Sequence, residues 1–185
     1  NELSLLRTTP GSYLGSCRYK LPEDLNDPVY PLLFNKFTSH GIGYFFYIGG
    51  NDSMDTVSKL SRYAKKINSD IRFIGVPKTI DNDIYGTDMT FGFYSAVNIA
   101  SDAIDCIHTT ASSHQRVFIV EVMGHKVGWL TLYAGIASGA DVILIPEIPY
   151  DIEKVCEAIN RRKERGSGFT ILAVAEGAIA KEDAA

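Results

Sequence analysis

Short apolar runs alternate along the chain with longer stretches in which apolar residues recur at a helical period. Residues 43–48 and 71–76 are apolar runs of this kind, and residues 52–67 and 91–107 follow them with the helical period. Further strands are predicted at residues 117–122, 142–145 and 170–175, and further helices at residues 28–40, 128–138 and 152–165. Apolar strands separated by helices favour a parallel sheet covered on both faces. The sequence therefore predicts an α/β fold with three layers, a doubly wound, mostly parallel sheet carrying helices on both faces.

Composition narrows the class of protein. The chain has 185 residues, within the range of one domain, and we expect a single domain over residues 1–185. A net charge of −4 offers no positive field for nucleic acid or an anionic membrane, and no apolar run approaches the ~20 residues that a membrane span needs. Cys17, Cys106 and Cys156 show no C-x-x-C spacing, which favours reduced thiols and a cytoplasmic location.

The stretch Pro77-Lys78-Thr79-Ile80-Asp81-Asn82-Asp83 follows an apolar run that we interpret as a buried strand. Polar loops at the carboxyl ends of strands carry the chemistry of open α/β sheets. A lysine, a hydroxyl and two carboxylates suit the transfer of a phosphoryl group to an alcohol: Lys78 neutralises charge, one carboxylate accepts the hydroxyl proton and the other holds Mg²⁺. The alternative is an Asx-rich turn stabilised by its own side chains.

A second candidate, Gly49-Gly50-Asn51-Asp52-Ser53, follows a predicted strand and opens a predicted helix. Glycines allow a phosphate to approach the backbone, and the start of a helix supplies N–H donors. The alternative is a tight turn with Asp52 or Ser53 as the N-cap.

Several other polar residues also follow predicted strands. His125 comes after the strand at residues 117–122, and Glu147 and Glu176 come after the two later strands, where ligands gather in doubly wound sheets. One of the two glutamates is alternatively a helix-capping acid, and the pattern does not decide which. Arg116 precedes a strand, so it is expected at the opposite end of the sheet and could serve chemistry only through a second subunit.

The motifs, and the order in which they follow one another, resemble those of the phosphofructokinase family over nearly the whole chain. The matching pieces are GSYLGSCR at residues 11–18, GGNDS at 49–53, PKTIDND at 77–83, GTDMTFGFYSA at 86–96, SSHQR at 112–116, EVMGHKVGWL at 121–130, AGIASGAD at 134–141, IPE at 145–147 and AEG at 175–177. The resemblance implies phosphoryl transfer, with Mg²⁺, to the 1-hydroxyl of fructose 6-phosphate.

The resemblance also implies roles for particular residues. Asp81 stands at the position of the catalytic base, beside Thr79 and Lys78, and Thr79 and Asp83 share its contacts with the substrate. The other substrate positions are Met123, Gly124, His125 and Glu176, and Arg116, which reaches the substrate of a neighbouring subunit and so implies a homo-oligomer. The positions for the donor phosphates are Arg18, Gly50, Asn51, Asp52 and Ser53. The positions for the metal are Asn51, Asp52 and Asp83.

Two positions bear on the phosphoryl donor. ATP-using members resemble GGDGS and PGTIDND, whereas here Asp52 and Lys78 replace glycines. An aspartate at position 52 would repel a nucleotide α-phosphate, and Lys78 would supply a cation to a compact anionic donor. The resemblance is therefore to the pyrophosphate-dependent branch, with ATP as the alternative donor.

Two departures from the family pattern leave another class open. Asn51 stands in place of an aspartate that helps to hold Mg²⁺, and His125 stands in place of an arginine that contacts substrate. A non-catalytic sugar-phosphate-binding or regulatory subunit is the alternative that these departures favour. The family's first phosphate loop and its later substrate clamps have no counterpart in the sequence, so we expect a central fragment that is inactive alone.

Overall fold

The computed structural model describes residues 2–9, 11, 15 and 18–184. The chain forms two compact units. Unit 1 comprises Asn1–Tyr47 and Asp55–Ile74, and unit 2 comprises Ile48–Met54 and Gly75–Ala185. The expectation of one domain over the whole chain stays a prediction. Cys17 and most of the GSYLGSCR stretch lie outside the described residues, whereas Cys106 and Cys156 are free and exposed.

Five α-helices and six strands follow one another in the part of the chain that the structure describes. The helices are α1 (Val29–Ser39), α2 (Asn51–Lys66), α3 (Phe93–His114), α4 (Trp129–Ala137) and α5 (Ile152–Glu164), preceded by a 3₁₀ helix at Glu2–Arg7. The strands are β1 (Tyr44–Gly49), β2 (Arg72–Thr79), β3 (Phe91–Gly92), β4 (Val117–Val122), β5 (Val142–Leu144) and β6 (Thr170–Ala175). No helix within these described ranges is long and apolar enough to span a membrane.

The strands form two sheets of three, ordered β1-β2-β3 and β4-β6-β5. The β2–β3, β4–β6 and β5–β6 pairs are all parallel. Strand β4 pairs with β6 from Val117↔Thr170 to Val122↔Ala175, so the two strands end level with each other. Parallel strands joined through helices confirm the predicted α/β class, and the described strands are divided between two sheets.

The core of unit 1 is largely aromatic. Tyr30 stacks on Tyr63 at a ring-centroid distance of 5.0 Å, and Phe34 meets the same tyrosine edge-on at 4.9 Å. Both Tyr30 and Phe34 lie on α1, and Asp27 starts that helix by accepting a hydrogen bond from the Val29 N–H at 2.9 Å. The packing of α1 against α2 therefore depends on interlocked rings as well as on apolar area.

Unit 1 also buries one lysine with a full set of partners. The Lys59 side chain is 5% exposed and forms ion pairs of 2.6 Å with both Glu23 and Asp55. It donates a further hydrogen bond of 3.0 Å to the Leu21 carbonyl. A buried ammonium is tolerated only with such partners, so Lys59 ties the segment before α1 to α2.

Two apolar clusters build unit 2. The larger one joins α3, α4 and β6 through the fully buried residues Ile104, Ala134 and Ile171. The other cluster packs Phe93 and Leu130 against Val122, the last residue of β4. The clusters hold α3 and α4 against the sheet, and the carboxyl end of β4 is fixed as a result.

Candidate active site

The predicted site residues of unit 2 follow four strands at the ends where those strands terminate. Asp81 and Asp83 follow β2, Met123–His125 follow β4, and Glu176 follows β6 directly. The Gly49–Ser53 segment follows the same rule, because β1 ends at Gly49 and α2 begins at Asn51. The carboxyl ends of parallel strands are the usual place for ligand groups in α/β proteins.

Strand β2 differs from its prediction in two respects. It continues through Pro77, Lys78 and Thr79 because β3 pairs with its end, Lys78↔Phe91 and Thr79↔Gly92. The strand is also not fully buried: exposed Arg72, Ile74 and Lys78 alternate with half-buried residues. One face of the strand is therefore open, and the polar loop begins only after Thr79.

Asp81 lies half-buried beside other charged groups. Burial raises the pKa of the Asp81 carboxyl above its ordinary value of 3.8, and the negative charges of Asp83 and Glu176 raise it further. A hydrogen bond from the Thr79 side chain and the charge of His125 each lower the pKa by less than burial raises it, and the net shift is upward. The Thr79 hydroxyl also accepts a hydrogen bond from the Asp81 N–H at 3.1 Å. These interactions bring together the residues after β2, β4 and β6.

Asp83 is held on one oxygen only. Its Oδ2 accepts a hydrogen bond of 2.8 Å from the Asn51 Nδ2, whereas its Oδ1 is buried and accepts no hydrogen bond. A buried carboxylate oxygen without a partner is unfavourable unless a cation or a donor meets it. The donor set of Asp83 and the Asn51 amide oxygen therefore fits a hard cation such as Mg²⁺.

The carboxylates do not by themselves complete a metal centre. Within residues 2–9, 11, 15 and 18–184, no group of three or more His, Cys, Asp or Glu side chains is placed to hold a metal ion. Asp52, the third predicted ligand, is exposed in the first turn of α2.

The Gly49–Ser53 segment is a very short connection from strand to helix. The Gly50 carbonyl accepts hydrogen bonds of 3.0 Å from both Ser53 and Met54, so Asp52 and Ser53 belong to the first turn and the alternative of either as N-cap is wrong. A Cβ at Gly50 would lie 3.8 Å from the Lys78 carbonyl oxygen. The two segments whose residues bear on the phosphoryl donor are therefore neighbours.

The Met123–His125 loop is fastened to Glu176. Glu176 Oε1 accepts hydrogen bonds from the Gly124 N–H at 3.0 Å and from the His125 N–H at 2.6 Å. These two bonds lower the pKa of Glu176 below its ordinary value of 4.5. Met123 is 62% exposed, and His125 is also exposed. Both side chains are therefore accessible to a ligand.

Three predicted polar residues lie elsewhere. Glu147 accepts a hydrogen bond of 2.8 Å from the Gly128 N–H just before α4, so it is the helix-capping glutamate of the two. Exposed Arg116 directly precedes β4 and lies at the opposite end of that strand from Met123. Arg18 is exposed and belongs to unit 1, and its role near the transferred phosphoryl group stays a prediction.

Two functional candidates escaped the sequence reasoning. Asn82 has a left-handed backbone, with φ +55°, and its Oδ1 accepts a hydrogen bond of 2.9 Å from the Thr90 N–H. Buried Thr90 also donates from its hydroxyl to the Thr79 carbonyl at 2.8 Å. The tolerance of asparagine for this conformation was an available signal for Asn82, whereas no local pattern points to Thr90.

Comparison with known proteins agrees with this geometry. A 6-phosphofructokinase of Propionibacterium freudenreichii subsp. shermanii, named as ATP-dependent, is 44% identical over 189 residues, covering 100% of this chain and 49% of that protein. A second one named as ATP-dependent, from Spirochaeta thermophila, is 54% identical over 136 residues, covering 74% and 36%. The crystal structure of a pyrophosphate-dependent phosphofructokinase from Marinobacter aquaeolei matches with a TM-score of 0.82 and 38% identity, covering 97% and 46%.

This chain thus spans about half the length of the relatives that it matches over its full extent. The family model described as "Phosphofructokinase" matches residues 1–185. The order of motifs, the strand-end placement of the candidate site and these matches lead to one conclusion: the chain belongs to the phosphofructokinase family.

Proposed function

We propose that the full-length protein transfers a phosphoryl group from pyrophosphate to the 1-hydroxyl of fructose 6-phosphate, giving fructose 1,6-bisphosphate. The observation that carries the proposal is the setting of Asp81, whose pKa is raised by burial and by the neighbouring Asp83 carboxylate. A general base is most effective when its pKa lies close to the working pH, so an aspartate with a raised pKa suits proton abstraction from a sugar hydroxyl.

Asp81 accepts the proton of the attacking 1-hydroxyl in this proposal. The Thr79 hydroxyl orients the Asp81 carboxylate, and Lys78 places a cation beside the phosphoryl group that moves. Phosphoryl transfer depends mainly on positioning the reactants and on neutralising the charge of the equatorial oxygens. A short loop held by hydrogen bonds can meet both requirements.

Mg²⁺ is the cofactor that we propose for this site. Asp83 would hold it through Oδ1, the buried oxygen without a hydrogen-bond partner, with Asn51 and Asp52 of the first turn of α2 as the further proposed ligands. When bound, the ion would neutralise oxygen charge on the donor. The Asn51 amide donates to Asp83 and thereby fixes the direction of the carboxylate.

Fructose 6-phosphate is the proposed acceptor, and the loop after β4 is its proposed platform. Met123, Gly124, His125 and Glu176 line this platform from one subunit. Arg116 would reach the sugar phosphate of a neighbouring subunit in a homo-oligomer, because it lies at the far end of β4 from its own site. Gly50 and Ser53, at the start of α2, are the proposed contacts of the donor phosphates. We propose a cytoplasmic location, which suits these substrates.

We propose pyrophosphate rather than ATP because Asp52 and Lys78 stand at two positions where the pattern of ATP-using members has glycine. The curated relatives named as ATP-dependent favour the second candidate, ATP as donor. Assay of the full-length enzyme with each donor at equal Mg²⁺ tests this choice. We expect turnover with pyrophosphate; turnover with ATP alone would replace the proposed donor and leave the acceptor unchanged.

The catalytic role of Asp81 is tested by Asp81→Ser in the full-length enzyme. General-base removal is expected to lower kcat by about 10²–10⁴-fold, with the far-ultraviolet circular dichroism unchanged. Asp70→Ser makes the same chemical change at an exposed loop position outside the site and should leave kcat unaltered. Isothermal titration with fructose 6-phosphate completes the test: binding by a wild-type protein without turnover would favour the non-catalytic subunit instead.

A further inference from the structure

We propose that Thr90 is a positioning residue for the catalytic base, acting through Asn82 and the Thr79 carbonyl. The inference rests on the proposed function, because it concerns how Asp81 is held for proton abstraction. Thr90 touches neither Asp81 nor Asp83 through a hydrogen bond; its contacts are with the residues on either side of Asp81.

The first step concerns the conformation of Asn82. This residue lies between the two carboxylates with φ +55°, in the left-handed region. A left-handed residue reverses the local direction of the chain, so the conformation of Asn82 decides how Asp81 and Asp83 are presented. Asparagine tolerates this region better than most residues but less readily than glycine, so the surrounding hydrogen bonds help to hold the conformation.

The second step concerns what holds Asn82. Its Oδ1 accepts from the Thr90 N–H at 2.9 Å and lies 3.2 Å from the Thr90 hydroxyl, and its Nδ2 donates to the Asp88 carbonyl at 3.4 Å. Thr90 is 3% exposed, so the two contacts with Thr90 are partly shielded from water, whereas the bond to Asp88 is exposed. The Asn82 side chain is thus fixed to a single segment, residues 88–90.

The third step concerns the other side of the loop. The Thr90 hydroxyl donates to the Thr79 carbonyl at 2.8 Å, and β3, which follows immediately, pairs with Lys78 and Thr79. Thr79 in turn shares hydrogen bonds with Asp81. Thr90 therefore binds Thr79, two residues before Asp81, through its hydroxyl and Asn82, the next residue after Asp81, mainly through its N–H, so the base lies between two tethered residues.

Loss of this hydroxyl should affect the chemical step more than substrate binding, because the misplaced group would be the base. Misplacing a reacting group by about 1 Å can lower the rate by roughly 10²-fold. For Thr90→Val, which keeps the shape and removes the hydroxyl, we expect kcat to fall by about 10- to 100-fold. The KM for fructose 6-phosphate should change by no more than about twofold, since the platform after β4 is untouched.

Two matched variants accompany Thr90→Val in the full-length enzyme. Thr90→Ser retains the hydroxyl and should restore kcat to near the wild-type value. Thr87→Val makes the same threonine-to-valine change three residues earlier, where the hydroxyl bonds only the Ile84 carbonyl, and should leave kcat unaltered. Wild-type kcat in Thr90→Val, or equal losses in Thr90→Val and Thr90→Ser, would overturn the proposal.

Hydrogen exchange separates this inference from the proposed function. Amides of residues 79–83 should exchange faster in Thr90→Val than in the wild type, Thr90→Ser or Thr87→Val, whether or not the wild type turns over; unchanged exchange overturns the positioning role. Absence of wild-type turnover with either donor would instead reject the proposed function. Should Thr90→Val fail to fold, Asn82→Gly keeps the left-handed backbone but removes the tether, and must show the same fall in kcat.

Discussion

A single carboxylate oxygen of Glu176 accepts two backbone hydrogen bonds, from two successive residues with positive φ angles. His125 has φ +53°, in the left-handed region, and Gly124 has φ +149°. Both N–H groups point at Oε1 of Glu176, and charge-assisted bonds of this kind are stronger than those between neutral groups. We infer that Glu176 holds the loop that presents Met123 and His125.

The hold of Glu176 on this loop should depend on pH. Because the two N–H groups lower the pKa of Glu176, its contribution to stability is complete above the ordinary value of 4.5 and is lost as pH falls through the lower, folded-state pKa. We expect protection of the Gly124 and His125 amides from hydrogen exchange, corrected for intrinsic rates, to decline below pH 4.5. Protection of the amides within β4, measured over the same pH range, is the control for global unfolding.

Glu176→Gln is the matched variant for this prediction. A glutamine oxygen accepts hydrogen bonds but does not titrate, so protection should be weaker at neutral pH and should show no acid step. An acid step of equal size in Glu176→Gln would show that another group controls the loop.

The elements of this chain could be predicted where apolar residues alone determine them. The limits of β4 and β6 match their predictions at both ends, because short segments dominated by apolar and β-branched residues favour strands of a parallel sheet. The two-residue strand β3 and the last three residues of β2 could not be found this way. The pairing joins Lys78 and Thr79 to β3 across the intervening residues 80–90, and no local pattern announces it.

The same distinction applies to the candidate site. Asp81, Asp83, His125 and Glu176 could be predicted, since each is a polar residue placed shortly after a recognisable strand. Thr90 could not, because its role depends on hydrogen bonds to residues eight and eleven positions away. Local sequence shows which residues could act as acids, bases or ligands, whereas the contacts that hold those residues in place are non-local.

Helix α4 provides a prediction at the scale of elements. A Cβ at Gly135 would lie 2.8 Å from Ile143 Cδ1 and 3.3 Å from the Ala173 Cβ. The helix therefore lies so close to β5 and β6 that a side chain larger than that of glycine does not fit at this position without a shift of its neighbours. Gly135→Leu should lower the free energy of unfolding by roughly 0.5–2 kcal/mol, the cost of overpacking less the gain in helix propensity. Urea denaturation of the protein measures this change.

Ala137→Leu is the control for that substitution. Ala137 lies on the exposed side of the same helix, and enlargement there should alter the free energy of unfolding by no more than about 0.5 kcal/mol. Equal stabilities for Gly135→Leu and the wild type would contradict the close packing of α4 on β5.

At the scale of the whole molecule, Arg116 lies at the opposite end of β4 from the candidate site of its own subunit. The chain spans about half the length of the matched relatives, and Arg116 lies a full strand, roughly 20 Å, from the loop after β4. We propose that a second subunit brings its own Arg116 to that loop, which makes the homo-oligomer part of the catalytic arrangement.

Subunit mixing tests this arrangement. Full-length Asp81→Ser and Arg116→Ala are each expected to be nearly inactive, but a 1:1 mixture unfolded and refolded together should recover about a quarter of wild-type activity, because each site draws its base and its arginine from different subunits. Mixed Asp81→Ser and Thr79→Val, two variants of the same loop, should recover none. If the mixture of Asp81→Ser and Arg116→Ala were as inactive as the mixture of Asp81→Ser and Thr79→Val, Arg116 would lie outside the neighbouring subunit's site.

The close contact between Gly177 and His125 has an evolutionary consequence. A Cβ at position 177 would collide with the His125 backbone carbonyl, so any larger residue at 177 requires a different path for the loop of residues 123–125. Fitness effects at these positions are therefore epistatic: a substitution at 177 is tolerated only in a background where the loop has already shifted. Related proteins with a larger residue at 177 should therefore also differ in the loop of residues 123–125, and the change in the loop should have come first.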